Sequence, residues 1–282
     1  MFQFLPAGYT PVVSRVLEDD DVELQDGGSE LTHTFERTVA DGEYRLNRSW
    51  RNLLATGLVG GLDVGIGILA LLIVQAETGS LLLGALAFGI GFIALVLAQS
   101  ELFTENFLVP VAAVTARRGK VGQLLRLWAG TAATNLAGGW LMTGLIVAGH
   151  PDLERTAREI GSKYADLPPG RLFVLSILGG IVITLMTWME RATESIPAKL
   201  VVAVSTGFLL IAGTLSHTVV ASLVLFAALH AGAPFGYLEW LEVAGTVTAG
   251  NLVGGLGLVT LLRLVQVGSR RIEQEQPDDR RS

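Results

Sequence analysis

The sequence predicts an all-α integral membrane fold with six transmembrane helices, arranged as an inverted repeat of three plus three in which helices 2 and 5 are broken. Three observations predict it: an apolar composition, two apolar runs too long for one straight crossing, and a self-match at a fixed offset. Half of the 282 residues are hydrophobic and only 16% are charged. Mean hydropathy is +0.52, and ordinary soluble chains carry about a quarter charged residues.

Apolar stretches run over 53–75, 81–116, 122–149, 172–189, 200–231 and 241–267. A crossing needs about 20 apolar residues, so six fit. Runs 2 and 5 are overlong, because at about 1.5 Å per residue a 36-residue helix would far exceed a hydrocarbon core of about 30 Å. Both contain polar residues midway. The first reads AQSELFTENFLVPV over 98–111, and the second holds TLSHTVVAS over 214–222. An ionised side chain at mid-bilayer costs roughly 2.5–3.5 kcal/mol on insertion scales, and freed backbone groups are tolerated only in protein or beside a cavity. A break in each run, meeting around a water-lined pathway, accounts for both.

Outside the spans, residues 1–50 form an arm expected on the cytoplasmic side. It is acidic and partly disordered through LEDDDVELQDGGSE (17–30), with a surface helix near 35–50 whose Arg45, Arg48 and Arg51 would lie close to lipid phosphates. Residues 51–268 form the six-helix channel domain, and 269–282 a charged tail. The N-terminus lacks the basic flank, apolar core and cleavage site of a signal peptide, so insertion would rely on the spans. Placing the arm, the loops at 117–121 and 190–199 and the tail on one side gives that side, with Arg51, Arg126 and Arg263 at span ends, 16 of the 20 Lys and Arg. Only Arg155, Arg158, Lys163 and Arg171 fall opposite, which predicts both termini in the cytoplasm of a cell with this protein in its inner or plasma membrane.

Sliding the chain by 116 residues places Gly91-Phe92 on Gly207-Phe208, Ser100 on Ser216, and NLAGG (135–139) on NLVGG (251–255). Each half then holds three spans, an odd number, so the halves must insert in opposite orientations, as in transporters whose sites form where corresponding helices break. The same offset sets Glu101 opposite His217.

These motifs carry a family resemblance. ELFTENFLVPVAAVTARRGKVGQLLRLWAGTAATNLAGGW resembles the second-to-third-span signature of the formate/nitrite transporter family, TLSHTVVAS its second break with a central histidine, and GNLVGG (250–255) its last-span signature. The LFTEN and RLW…NLAGG segments look most like a poorly characterised branch. The resemblance covers residues 45 to 267 and implies an aquaporin-like fold, a homopentamer with one pore per protomer, and passage of small monovalent anions of weak acids such as formate, nitrite or hydrosulfide, with protons as partners. By the same resemblance His217 would handle the proton, Thr104 and Phe103 would belong to the loop at the first break, Leu102 and Phe92 to one apolar constriction, and Phe88 and Leu210 to the other. Thr184 stands where the family has an asparagine in span four, Ser216 where it has an acid before the histidine, and Lys163 or Arg171 would substitute for its anion-attracting lysine at the mouth.

The residues also have structural readings. Glu101, Glu105 and Ser216 are expected to serve the helix breaks, the two acids by capping freed N–H groups. Asp63 is a further intramembrane acid, suited equally to a subunit contact or the pathway. Asn135 and Asn251 are expected to pack helices, and His33, His150 and His230 to lie at the surface. No cofactor, metal or nucleic-acid partner is expected, and with no cysteine the chain has neither disulfides nor thiolate sites. Three rivals stand beside the anion channel. A neutral-solute channel would want Asn-Pro-Ala pairs, which are absent. A hydrolase using Ser100 or Ser216 with His217 lacks GxSxG, HExxH or a metal cluster. A closed-pore scaffold or sensor would use the acidic arm as plug or partner site.

Overall fold

Helix ends follow local capping chemistry. The structure, a computed structural model, describes residues 31–267; the acidic stretch 17–30 and the tail from 269 lie outside them. Helix α1 covers 31–46. In α2 (Trp50–Thr78), Ser49 Oγ accepts from Asn52 N, and Gly79 at φ 67° ends the helix in the left-handed conformation that glycine adopts freely. Ser80 caps α3 (Leu81–Ala98), which stops at Gln99 with φ 54°. A 3-10 turn over Phe103–Phe107 leads into the short α4 (Val109–Thr115), with Pro110 in its first turn where a missing N–H costs nothing. Next come α5 (Val121–Gly149), α6 (Glu154–Ala165) and α7 (Pro169–Arg191). Ser195 caps α8 (Ile196–Ala212), and α9 (Thr218–His230) begins after a second interruption. Last, α10 (Tyr237–Asn251) runs through a π-helical segment, Leu252–Thr260, and on to 267.

Helices α2, α3, α5, α7 and the continuous Tyr237–Val267 are each long and apolar enough to cross a membrane. Helices α8 and α9 are apolar but too short to cross singly, and they follow one another as an interrupted run, consistent with a sixth crossing. Apolar side chains turn outward as a stripe along α3, with Leu82, Leu86, Ile90 and Leu97 all exposed at helical spacing.

Two buried asparagines fix the breaks in matching ways. Asn135 Nδ2 donates to Gly57 O (2.7 Å) and Glu101 O (2.8 Å), while its Oδ1 accepts from Phe103 N at 2.7 Å. Asn251 Nδ2 donates to Ser176 O (2.7 Å) and Ser216 O (2.9 Å), while its Oδ1 accepts from Thr218 N at 2.9 Å. Each side chain thus satisfies the backbone groups that an interrupted helix leaves orphaned. Where α2 and α7 pass the breaks they do so at Gly60 and Gly179, and a Cβ there would collide with the carbonyls of Glu101 and Ser216 respectively. Replacing Asn135 or Asn251 by alanine strands three bonds' worth of buried polar backbone. A loss of roughly 3 kcal/mol or more is expected for each, read as thermal unfolding in detergent; a loss below about 1 kcal/mol would mean water replaces the amide.

This geometry corrects the repeat register. The asparagines are 116 apart, but the positive-φ residues Gln99 and Thr214, and the paired donors Phe103 N and Thr218 N, are 115 apart. His217 therefore corresponds to Leu102, and Ser216 to Glu101, one residue from the positions that sequence identity picked. One extra residue between the second break and Asn251 absorbs the difference. Between α5 and α7, α6 packs Ala157, Ile160 and Tyr164 into the main core. One further expectation changes. The helix expected near 35–50 spans 31–46, and of Arg45, Arg48 and Arg51 only Arg51, which lies in α2, is exposed: Arg45 is 4% exposed, committed to protein carboxylates rather than lipid phosphates.

Candidate functional site at the two helix breaks

Where the two interrupted runs meet, side chains from both halves touch. Thr104, in the 3-10 turn after the first break, hydrogen-bonds through Oγ1 to His217 Nε2 at the second. Both residues have 0% exposure. His217 is also the N-cap of α9, its Nδ1 accepting from Val220 N at 3.3 Å. With Nδ1 committed as acceptor, the neutral ring carries its proton on Nε2, so that N–H donates to Thr104.

The proposed constriction residues Phe88, Phe92, Leu102 and Leu210 are fully buried and belong to the main core. Phe88 and Phe92 pack with ring centroids 5.5 Å apart. Phe103 turns elsewhere, into edge-on contacts with Phe107 (5.0 Å) and Trp128 of α5 (6.3 Å). Thr184 is buried beside Gly255 in the π-helical segment, its Oγ1 without a hydrogen-bond partner among the described residues. Ser216 contributes its carbonyl to Asn251, and its Oγ is likewise unpartnered. Ser100 donates to Asp63 Oδ2 at 2.6 Å, placing Asp63 as an anchor of the first break. Neither serine is hydrogen-bonded to His217.

The two glutamates divide the work. Glu105 Oε1 accepts from Leu102 N at 3.4 Å. Glu101 instead pairs with Arg45 Nε (2.9 Å) and Arg48 Nη1 (2.6 Å). Arg45 also reaches Glu105 Oε2 at 3.6 Å, Asp41 Oδ2 at 3.2 Å and Asn106 Oδ1 at 3.1 Å, so α1 is keyed into the first break by one side chain. Burial alone would raise the Asp41 carboxyl, but Arg45, Arg191 and Arg48 hold it below the ordinary value. These charges line a cavity of about 620 Å³ on the side of the molecule that carries α1, together with Glu190, Arg191 and Lys199.

At the far end, Lys163 on α6 and Arg171 at the start of α7 are both exposed. Arg158, also on α6, donates to Ala231 O at the C-terminal end of α9 and pairs with Glu154 at 3.4 Å. His33 and His150 are exposed, while His230 is half-buried with its ring 4.9 Å from Trp140. Sequence reasoning did not single out Glu190, Arg191, Lys199 or Arg158. For the first three the available signal was their position, charged residues in the 190–199 stretch between two apolar runs.

Residues 32–265 match the model of the formate/nitrite transporter family. Among curated proteins, the inner membrane protein YfdC of Escherichia coli (strain K12) is 29% identical over 260 residues, covering 85% of this chain and 81% of YfdC. Of solved structures, an FNT family ion channel superposes with a TM-score of 0.77 at 21% identity, covering 83% of this chain and 99% of the channel. A pentameric formate channel with formate bound superposes at 0.66 and 20% identity, covering 77% and 97%.

Proposed function

This chain belongs to the formate/nitrite transporter family, and we propose that it is a multi-pass membrane channel for small monovalent weak-acid anions, formate foremost, working as a homopentamer with a pathway in each protomer and both termini in the cytoplasm. The observation that carries this reading is the Thr104–His217 hydrogen bond, which joins the two broken helices at a fully buried point flanked by apolar side chains.

The pathway runs from the charged cavity beside α1, past Leu102 and Phe92, to His217 and Thr104, and out past Phe88 and Leu210. Phe103 and Thr184 support its wall. Lys163, Arg171 and Arg158 give the far end positive charge. A bare anion pays heavily to enter rings of apolar side chains, whereas the neutral acid pays little. The imidazolium form of His217 passes one proton to the anion, leaving neutral imidazole and neutral acid, and the acid ionises again beyond the constriction. Charging the ring at Nδ1 gives up the Val220 cap, and releasing the proton restores it, so proton transfer is tied to the first turn of α9. The positive dipole end of α9 adds potential that draws an anion toward the break.

Stopped-flow uptake by proteoliposomes offered formate, nitrite, hydrosulfide, glycerol and an osmotic water step tests the reading. Fast formate-dependent flux with little glycerol or water permeation is the expected result. Selective water or glycerol flux would replace it with a neutral-solute channel, and no flux of any solute with a scaffold or sensor.

A further inference from the structure

Every carboxylate that lines the cavity beside α1 has an arginine partner except one. Asp41 pairs with Arg45 and Arg191, Glu101 with Arg45 and Arg48, Glu105 with Arg45, and Glu194 with Arg37. Glu190 makes no ion pair among the described residues, although it is only 7% exposed. Its Oε1 is fully buried and has no hydrogen-bond donor. A buried acceptor left empty costs roughly 1–3 kcal/mol, so its retention calls for a ligand. Lys199, from the first turn of α8, lines the same cavity and is also without an ion pair among the described residues. The leftover acid and the leftover lysine are not within 4 Å of each other, so they do not cancel, and cavity space is available to both.

We propose that Glu190 and Lys199 form a subsite at this mouth that recognises the neutral weak acid and separates it into anion and proton. The O–H of the acid donates to Glu190 Oε1, and the acid's other oxygen faces the Lys199 ammonium. The carboxylate takes the proton, the O–H bond of the acid breaks, and a carboxylic acid and the substrate anion result; Lys199 holds the anion while the proton passes from Glu190 to water in the cavity. Run backwards, the same steps load an anion with a proton before it meets the constriction. The charged groups facing Glu190 are Arg45 from α1, Glu105 from the first break, Arg191 on its own helix and Lys199 from α8. Arg191 is occupied by Asp41 at 2.7 Å, which leaves Lys199 as the cation free for substrate.

This subsite rests on the weak-acid reading above, and its test separates the two. Proteoliposomes carrying an internal pH dye report formate uptake and proton uptake together, for the full-length chain and for Glu190→Gln, Glu190→Asp and Lys199→Gln. Glu190→Gln is expected to slow formate uptake about tenfold, the weight of one charged hydrogen bond, and to flatten its pH dependence. Glu190→Asp should restore both, and Lys199→Gln should raise KM for formate with a smaller change in maximal rate. Infrared difference spectra of the purified protein on adding formate should show a protonated carboxyl band that shifts in Glu190→Asp, a measurement that stands even if the glutamine variant does not assemble. Normal uptake with an unchanged pH profile in Glu190→Gln, or a carboxyl band unmoved in Glu190→Asp, would overturn the subsite while leaving the channel intact. Absence of formate flux in the unmodified chain would overturn the weak-acid reading itself.

Discussion

Proteoliposomes containing His217→Asn are expected to take up formate roughly 100-fold more slowly than the unmodified protein, the lower end of what a positioned proton donor contributes, and with no proton accompanying the residual flux. Asparagine is the informative replacement because it keeps the structural duties of the histidine. It is among the best N-cap residues, so its Oδ1 can accept from Val220 N, and its Nδ2 can face Thr104. What it cannot do is titrate. Alanine removes the cap and the bridge together, adding a stability loss of about 1 kcal/mol to the same transport defect. Thr104→Ser should retain most activity, since the hydroxyl that meets Nε2 survives, whereas Thr104→Val should approach the histidine variants. Proton coupling unchanged in both His217→Ala and His217→Asn would sink the assignment and leave His217 as a tie between the two halves.

Much of this architecture was legible because the bilayer imposes lengths. A run of 36 apolar residues with Glu101 and Glu105 at its middle has few physical solutions, and a break buried in protein is the simplest. The partner of those acids was not legible. Arg45 lies 56 residues before Glu101, and a basic surface helix reads the same in sequence whether its arginines meet lipid phosphates or protein carboxylates. Only the contact in space decides, and here Arg45 is buried and saturated by acids. The repeat was legible to within one residue. Identity of common residues such as Gly-Phe and Ser favoured one register, while the hydrogen bonds of Asn135 and Asn251 follow backbone position and select the neighbouring one. Glu190 escaped notice because its significance is a missing partner, which no linear pattern records.

Truncating Arg45 to alanine is expected to cost roughly 3–5 kcal/mol, the range for removing one partner from a buried ion pair. The figure belongs at the upper end of single-residue effects because the loss is multiple: Glu101 keeps only Arg48, Glu105 loses its cation, and Asn106 Oδ1 loses its donor. Both glutamates stay 3–6% exposed, so water cannot readily take the arginine's place. Lysine at the same position supplies charge without the planar fork that reaches several acceptors at once, and should recover less than half of the loss. Pairing Arg45→Ala with Glu101→Gln isolates the interaction, and the double variant should be more stable than the sum of the single losses predicts. Acid should imitate the substitution. Because Asp41 titrates below its ordinary value in the folded protein, its contribution to holding α1 is complete above that ordinary value and disappears as pH falls through the depressed one. Protease cleavage within 31–46 should therefore accelerate below about pH 4 in the unmodified chain, and already at neutral pH in Arg45→Ala. If α1 remains protected at neutral pH in that variant and stability falls by less than about 1 kcal/mol, the arginine behaves as an exposed pair would, and α1 is held by its apolar face alone.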